Sequence, residues 1–413
     1  MKQELIINKI IKENNRINYI YEARGKWSDL LVKSEILFLE FDTNIEAVPD
    51  SIAIIPLLCN ILPICWVFNL NITIDELDDV FYSNIDKIKD GYIKMYPEIN
   101  FGGNLDVKKT IKNDYITKGS AVLFSGGVDA FNTLICHIDE KPALITVWGS
   151  DIPLSDEKGW SVVDKHHKKT ANDFDIKYHA IKTNFRSFLN CNMLSNYISK
   201  RIDGSWWHEF QHGIGLIGLT APLAYIERYK IVYIASSFTI ADLGNYTCAS
   251  DPTIDNHLKH SSCNTIHDGY EFNRQDKIHN ICNYVDKTNK SIKLRVCWES
   301  TGGKNCCECE KCCRTMLGIL TEKNDPNKFG FNFNNNIRKK MMKTVRPFAK
   351  YNHSRQYSEM QRQFIKNYKT TEIPKDLLWF SKLKIINKKP FFIVLKDKAL
   401  YILKKIFSKI KNN

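Results

Sequence analysis

The sequence predicts an α/β fold: a doubly wound, parallel sheet carrying a four-cysteine metal element. Three observations lead there. Strand-like and helix-like segments alternate from Ser120 to Phe238, a Ser-Gly-Gly turn at Ser125–Gly127 joins an apolar run to a helical one, and cysteines recur as C-x8-C-x2-C-x2-C from Cys297.

Residues 1–118 hold strand-like runs at Ile17–Tyr21 and Glu35–Phe41 and helical stretches including Asp75–Phe81. They are expected to form a separate α+β lobe, and they contain no catalytic motif. The stretch Ile52–Leu70 is strongly apolar, but Pro56, Asn60 and Pro63 interrupt it, which favours a buried core segment over a membrane span. Strands are then expected at Ala121–Phe124, Ala143–Trp148, Ile176–Ile181 and Ile231–Ala235 within a 119–320 domain. A long helix follows from Trp207 to Arg228, where Gly213, Gly215, Gly218 and Ala221 allow close packing on the sheet. Residues 321–413 are expected to be helical.

Sites in such sheets collect at the carboxyl ends of the strands, which nominates Ser125–Asp129, Gly149-Ser150-Asp151, Thr183–Arg186 and Ser236-Ser237-Phe238. In the first of these, Gly126 and Gly127 admit a polyphosphate close to backbone N–H groups. The helix start at Val128 and Asp129 adds partial positive charge, and the Ser125 hydroxyl adds a donor. It is not a Walker A loop, which requires a Lys-Ser/Thr pair after its last glycine. Arg186 is a candidate to stabilise charge developing on a triphosphate, although an Arg in a loop is also an ordinary surface residue. The segment Ser250–His257 offers Asp251 and Asp255 as Mg²⁺ ligands or acceptors for substrate N–H groups; both also suit turns.

Cys297, Cys306, Cys309 and Cys312 have the spacing to close a tetrahedral Zn²⁺ site, with Gly302 and Gly303 easing the loop after the first ligand. Four sulfur ligands leave no position for water, so the metal is expected to be structural. Cys307 and Cys313 adjoin proposed ligands and leave the register open.

A Ser-Gly-Gly-x-Asp loop followed by C-x8-C-x2-C-x2-C and then Arg314 resembles the PP-loop ATP pyrophosphatases, and within them the 7-cyano-7-deazaguanine synthases, over about residues 119–318. The resemblance implies a Rossmann-like sheet of the adenine nucleotide alpha hydrolase type. It further implies ATP, Mg²⁺ and structural Zn²⁺ as cofactors, and adenylation of a substrate carboxylate with release of pyrophosphate. Ammonia or an amine would then attack, giving an amide, a nitrile or a conjugate. On this reading Ser125, Asp129 and Arg186 are catalytic, Ser125–Asp129 with Gly149 and Ser150 hold the nucleotide, and Ser236, Ser237, Asp251 and Asp255 face the substrate. Ala130 replaces the Ser or Thr usual in the family, so one hydroxyl contact is missing. The two additional regions point to a larger target, a protein or a sugar conjugate, of the kind handled by amidotransferases or defence-associated relatives.

One motif competes. His208-Glu209-Phe210-Gln211-His212 matches H-E-x-x-H, which on a regular helix sets two imidazoles on one face beside a Glu, as in zinc hydrolases. Glu227 or His257 would have to be the third ligand, and neither completes a familiar spacing.

With 413 residues, 43% of them hydrophobic, the chain can bury a sizeable core. Thirteen cysteines, an odd number, and no recognisable signal segment at Met1–Glu4 favour a reducing, cytoplasmic compartment. The net charge of +13 owes much to residues 382–411, which hold ten lysines against Asp397 alone, so it argues little for nucleic-acid binding by the core. In that tail Leu395, Ala399, Ile402, Leu403, Ile406 and Ile410 fall at helical spacing among lysines. Either a docked terminal helix or a peripheral contact with an anionic membrane fits.

Overall fold

The computed structural model describes residues 3–385, except 243, 245, 298, 300, 301, 352 and 353 and the side chains of 350, 351 and 354. The basic tail lies outside the described residues. The strands are β1 (Glu4–Glu13), β2 (Arg16–Ala23), β3 (Phe38–Phe41), β4 (Asn71–Asp78), β5 (Asn104–Ile111), β6 (Gly119–Leu123), β7 (Ala143–Trp148), β8 (Tyr178–Thr183), β9 (Tyr229–Ala235) and β10 (Asn264–Asp268). They form one mostly parallel sheet of ten strands, in the order β10-β9-β6-β7-β8-β3-β2-β1-β4-β5.

The parallel half spans β10 to β8, with β6 between β7 and β9. Its strands are apolar runs buried on both faces, such as Ser120–Val122 and Ala143–Thr146, because each is covered on two sides. The chain leaves β6 first toward β7 and returns on the other side of β6 as β9. That reversal opens a crevice at the carboxyl end of β6.

Residues 1–118, expected as a separate lobe, instead continue the same sheet. β3 pairs antiparallel with β8 through Leu39 and Thr183, Glu40 and Lys182, Phe41 and Ile181. One apolar core runs from Leu5 and Tyr19 through Ile181 and Trp206 to Ile254. The stretch Asp75–Phe81 divides differently from expectation: Asp75–Asp78 end β4, and the helix starts at Asp79 with the Asp78 carboxylate accepting from the Phe81 N–H. β8 likewise begins at Tyr178, two residues later than expected.

The apolar stretch Ile52–Leu70 is buried core. It is helical over Ile55–Phe68 with Pro63 inside, and none of the described helices is long and apolar enough to cross a membrane. The expected helix Trp207–Arg228 is broken at Thr220, ahead of Pro222, into His212–Leu219 and Ala221–Glu227, preceded by a wider π turn over Trp207–Gln211. Its glycines do allow close packing, but not on the sheet: Gly213 faces Ala249, Ser250 and Asp255, while Gly215 and Gly218 face the helix Ile55–Phe68. A Cβ on Gly218 would fall 2.4 Å from that of Cys59, and one on Gly215 would fall 2.8 Å from Asn60 Oδ1.

Asp78 ties β4 to the parallel half. Fully buried, its carboxylate accepts from Asn113 Nδ2 at 3.0 Å, Ser261 N at 2.9 Å and Ser261 Oγ at 3.2 Å. Asp78→Ala deprives the buried Ser261 and Phe81 N–H groups of this acceptor, while Asn113 Nδ2 keeps Ser51 Oγ and Ile111 O, and we expect a loss of about 3 kcal/mol in urea unfolding. A loss near zero would show that this carboxylate does not help to join the two halves.

Candidate functional site

The crevice is built around the turn after β6. Phe124 N still donates to Ile145 O, after which Ser125 and Gly126 turn the chain into the helix Val128–Cys136, with Gly127 at the N-cap. Gly126 has φ +74°, in the left-handed region, and a Cβ there would lie 2.7 Å from His167 Nε2. Gly127 is different: a Cβ would meet only Ser125 Oγ at 3.4 Å and Arg295 O at 3.7 Å, so its open side faces the cleft. The first-turn amides of the helix have no acceptor within it, which makes the turn a ready anion site.

Cations converge on this turn from elements distant in sequence. Arg274 Nη1 lies 2.6 Å from Asp129 Oδ2, and Lys277 Nζ lies 3.2 Å from Oδ1. Both come from one face of the helix Arg274–Thr288, started by a capping box between Asn273 and Asp276. Burial pushes the Asp129 carboxyl up, but Arg274, Lys277 and Lys311 outweigh it and hold the group well below the usual range. Arg295 donates from its backbone N–H to Gly126 O at 2.7 Å and from Nη1 to Ser125 O at 3.2 Å. Burial and Arg274 lower the Lys311 ammonium, with Asp129 and Asp151 opposing.

The cleft encloses about 510 Å³. Ser125, Gly127, Val128 and Asp129 line one end, Ser150, Asp151 and Arg186 line a wall, and Ser237 also reaches the lining, so all four nominated loops meet. Arg186 Nη1 donates to Ser150 O at 3.2 Å, and its guanidinium sits 4.1 Å above the Trp207 ring. Gly149, at φ +108°, turns the chain after β7. Ser237 reaches the lining, but Ser236 is buried, with its hydroxyl on Phe238 O and its carbonyl accepting from Lys277.

Asp251 and Asp255 are not brought to the cleft lining. Asp251 caps the short helix Pro252–Asp255, and Asp255, fully buried, accepts from Ser250 Oγ and pairs with His267 Nδ1, each at 2.8 Å. These contacts tie both carboxylates to their own loop, although Asp255 Oδ1 has no hydrogen-bond partner among the described residues.

Cys297, Cys306, Cys309 and Cys312 place their sulfurs within 4.8 Å of one another, a group that could hold a metal ion such as zinc. Cys297–Cys309 and Cys306–Cys312 are each separated by 3.9 Å, against about 3.8 Å between sulfurs of a tetrahedral Zn–S4 centre. Cys309 N donates to Cys306 Sγ and Cys312 N to Cys309 Sγ, contacts that orient the sulfurs. The other two thiols are engaged elsewhere, which favours the register Cys297, Cys306, Cys309 and Cys312. Cys307 Sγ accepts from Asn332 N, and Cys313 Sγ bonds Glu308 O, both away from the cluster.

The H-E-x-x-H segment falls on the π turn, so its two histidines diverge from the spacing of a regular helix. His212 lines the main cleft, while His208 is largely exposed, 4.0 Å from Cys248 Sγ through Nδ1. Glu209 is buried and accepts from the Tyr96 hydroxyl at 2.9 Å. Glu227 is paired with Lys177, and among the described residues only the four cysteines form a group of metal-ligating side chains.

Arg274, Lys277, Arg295, Lys311 and His167 escaped the reading of the sequence. Lys311 sits between two nominated ligands and Arg295 two residues before another, which was a usable signal. Arg274 and Lys277 carried none beyond their i,i+3 spacing. His167 is fully buried beneath Gly126; its Nδ1 is 2.8 Å from Thr146 Oγ1, and its Nε2 has no hydrogen-bond partner among the described residues.

No family model matches this chain, and no curated protein is similar to it at a significant level.

Cys306→Ser and Cys309→Ser are expected to lose bound zinc, whereas Cys307→Ser and Cys313→Ser retain about one ion per chain by elemental analysis. The reverse pattern overturns the register.

A pH dependence follows from the histidines. Burial depresses His167, holds His212 down to about 4 against the pull of Asp151, and holds His260 down to about 4. The unfolded chain, with imidazoles near 6.5, binds protons first on acidification. Their stabilisation is therefore complete above about pH 6.5 and declines as pH falls toward 4. Urea midpoints are expected to drop over that window, less steeply in His212→Gln. A midpoint that rises on acidification contradicts this.

Proposed function

We propose that the chain is a PP-loop ATP pyrophosphatase of the carbon–nitrogen ligase type: it binds ATP in the cleft, adenylates a substrate carboxylate and releases pyrophosphate. The observation that carries this reading is the glycine turn at the carboxyl end of β6, opening a helix among Arg274, Lys277, Arg295 and Lys311. Counted from β6, the parallel strands run 3-2-1-4-5 across the sheet, the order of a Rossmann-like nucleotide fold with its crevice at the reversal. The four-cysteine cluster beside the turn supports the likeness to 7-cyano-7-deazaguanine synthases.

In this reaction a carboxylate oxygen attacks the α-phosphorus as the bond from it to the pyrophosphate oxygen breaks. Ammonia or an amine then attacks the acyl carbon, AMP leaves, and the nitrogen loses a proton to solvent. The chain's part is positioning and charge neutralisation. Loop amides and Ser125 Oγ receive the departing pyrophosphate, with Lys311 supplying charge. Arg186, propped on Trp207 and Ser150 O, faces the opposite wall. Asp129 organises Arg274 and Lys277 in place of touching the nucleotide. With Asp129 thus occupied, Asp151 is the cleft carboxylate left for Mg²⁺, which usually takes one or two carboxylates and the substrate phosphates.

The 1–118 strands and the C-terminal helices favour a protein or sugar conjugate as the carboxylate-bearing partner. The reaction chemistry suits the cytoplasm, and the basic tail would allow peripheral contact with an anionic membrane surface.

Chromatography of nucleotide products tests the reaction: AMP and pyrophosphate are expected, and ADP overturns it. Gly127→Val is expected to keep the fold, because a Cβ there meets nothing closer than 3.4 Å, with about 1 kcal/mol lost to a poorer N-cap, yet to lose ATP turnover at least a hundredfold, on the order of 3 kcal/mol in the transition state. Unchanged turnover in that variant removes the loop from the mechanism.

A further inference from the structure

The four-cysteine element and the phosphate turn are physically joined, and the joint is Arg295. Its backbone N–H holds Gly126 O at 2.7 Å, and its Nη1 holds Ser125 O at 3.2 Å. Two residues on, Cys297 enters the cysteine cluster, and its sulfur-bearing residue also lines the cleft. Asn305, which precedes Cys306, fastens the two arms: its Oδ1 accepts from Val296 N at 2.9 Å and from Cys297 N at 3.3 Å, and its Nδ2 donates to Leu294 O at 2.8 Å. On the far arm Lys311, between Cys309 and Cys312, reaches the cleft beside Asp129. Arg295 Nε is buried with no acceptor among the described residues, a donor whose partner would have to come from the cleft.

We propose that Arg295 is a positioning residue that couples occupancy of the four-cysteine site to polyphosphate affinity at the Ser125–Asp129 turn. The proposal rests on the reading of that turn as a polyphosphate site. A metal that draws the four sulfurs together fixes residues 295–297 and 309–312, and so sets the Gly126 carbonyl, the guanidinium and the Lys311 ammonium in place before the anion arrives. Without it those groups must be ordered at the expense of anion binding. Linkage makes the effect reciprocal: the anion tightens metal binding by the same factor as the metal tightens anion binding.

The test uses the full zinc-loaded chain, with pyrophosphate and Mg²⁺ as the probe. Zinc affinity is measured by competition with a chromophoric chelator, with and without saturating pyrophosphate. Gly127→Val serves as control, since chelation of zinc by pyrophosphate in solution acts equally on both proteins. Relative to that control, wild type is expected to hold zinc about five- to a hundredfold more tightly when pyrophosphate is present. Arg295→Ala is expected to keep one zinc per chain yet lose most of this gain, with Arg295→Lys recovering part because it keeps the charge. Calorimetry of pyrophosphate binding to the loaded wild type separates the two possible failures. Binding without any change in zinc affinity overturns the coupling while leaving the turn as an anion site. No binding at all overturns the reading of the turn and the coupling with it. Full coupling in Arg295→Ala removes Arg295 from the path.

Discussion

The site depends on one carboxylate among cations. Arg274, Lys277 and Lys311 would repel one another if brought together in a poorly hydrated cleft, and burying each alone is costly. Asp129, at the second position of the helix after the turn, accepts from Arg274 and Lys277 directly and lies within reach of the field of Lys311. It thereby fixes the helix Arg274–Thr288 against the helix Val128–Cys136. Lys277, almost wholly buried, also anchors to Ser236 O, so the same ion pair joins the carboxyl ends of β6 and β9. What remains is net positive charge facing a cavity and a helix N-terminus. Those are the electrostatics of a polyanion site.

The four-cysteine element is the second support of that cleft and is itself braced on two sides. Its loop packs onto the helix Glu157–Phe174, where a Cβ at Gly303 would come within 2.8 Å of Gly159 O. The same helix carries His167, beneath Gly126. From the other side Tyr357 donates to Glu310 at 2.8 Å, Glu310 pairs with Arg314 at 3.2 Å, and Asn367 Nδ2 donates to Thr321 O at 2.8 Å. The C-terminal helices Asn335–Tyr351 and Ser354–Asn367 thus pack against the helix Glu310–Thr321 that begins within the cluster. A four-cysteine cluster of this kind, which could hold a metal ion, has little core of its own, and larger elements enclose it on both sides.

The N-terminal segment buttresses the opposite wall from outside the lining. β3 extends the sheet past β8, and the helix Ile55–Phe68 lies against His212–Leu219. Asn60 Oδ1 accepts from Gln211 Nε2, which also donates to Phe185 O, the residue before Arg186. This chain of contacts sets Trp207 under the Arg186 guanidinium and brings His212 to the cleft. A segment with no motif of its own therefore supports, without lining it, the wall that faces the Ser125–Asp129 turn.

The sequence by itself determined the local chemistry. Gly126 and Gly127 between an apolar strand and a helix start, and four cysteines at short spacing, specify a turn and a group of sulfurs that could hold a metal ion, because each depends on residues close in the chain. The apolar run Ile52–Leu70 could likewise be recognised as core from Pro56, Asn60 and Pro63. Only the tertiary structure decided which cations surround Asp129, since Arg274 and Lys277 are some 145 residues away and no periodicity marks them. It also decided that Asp251 and Asp255 serve their own loop, that His208 and His212 part company on a π turn, and that residues 1–118 join the same sheet. Each of these turns on long-range pairing: hydrogen-bond satisfaction and burial are settled when distant segments meet, and neither is written in the spacing of neighbours.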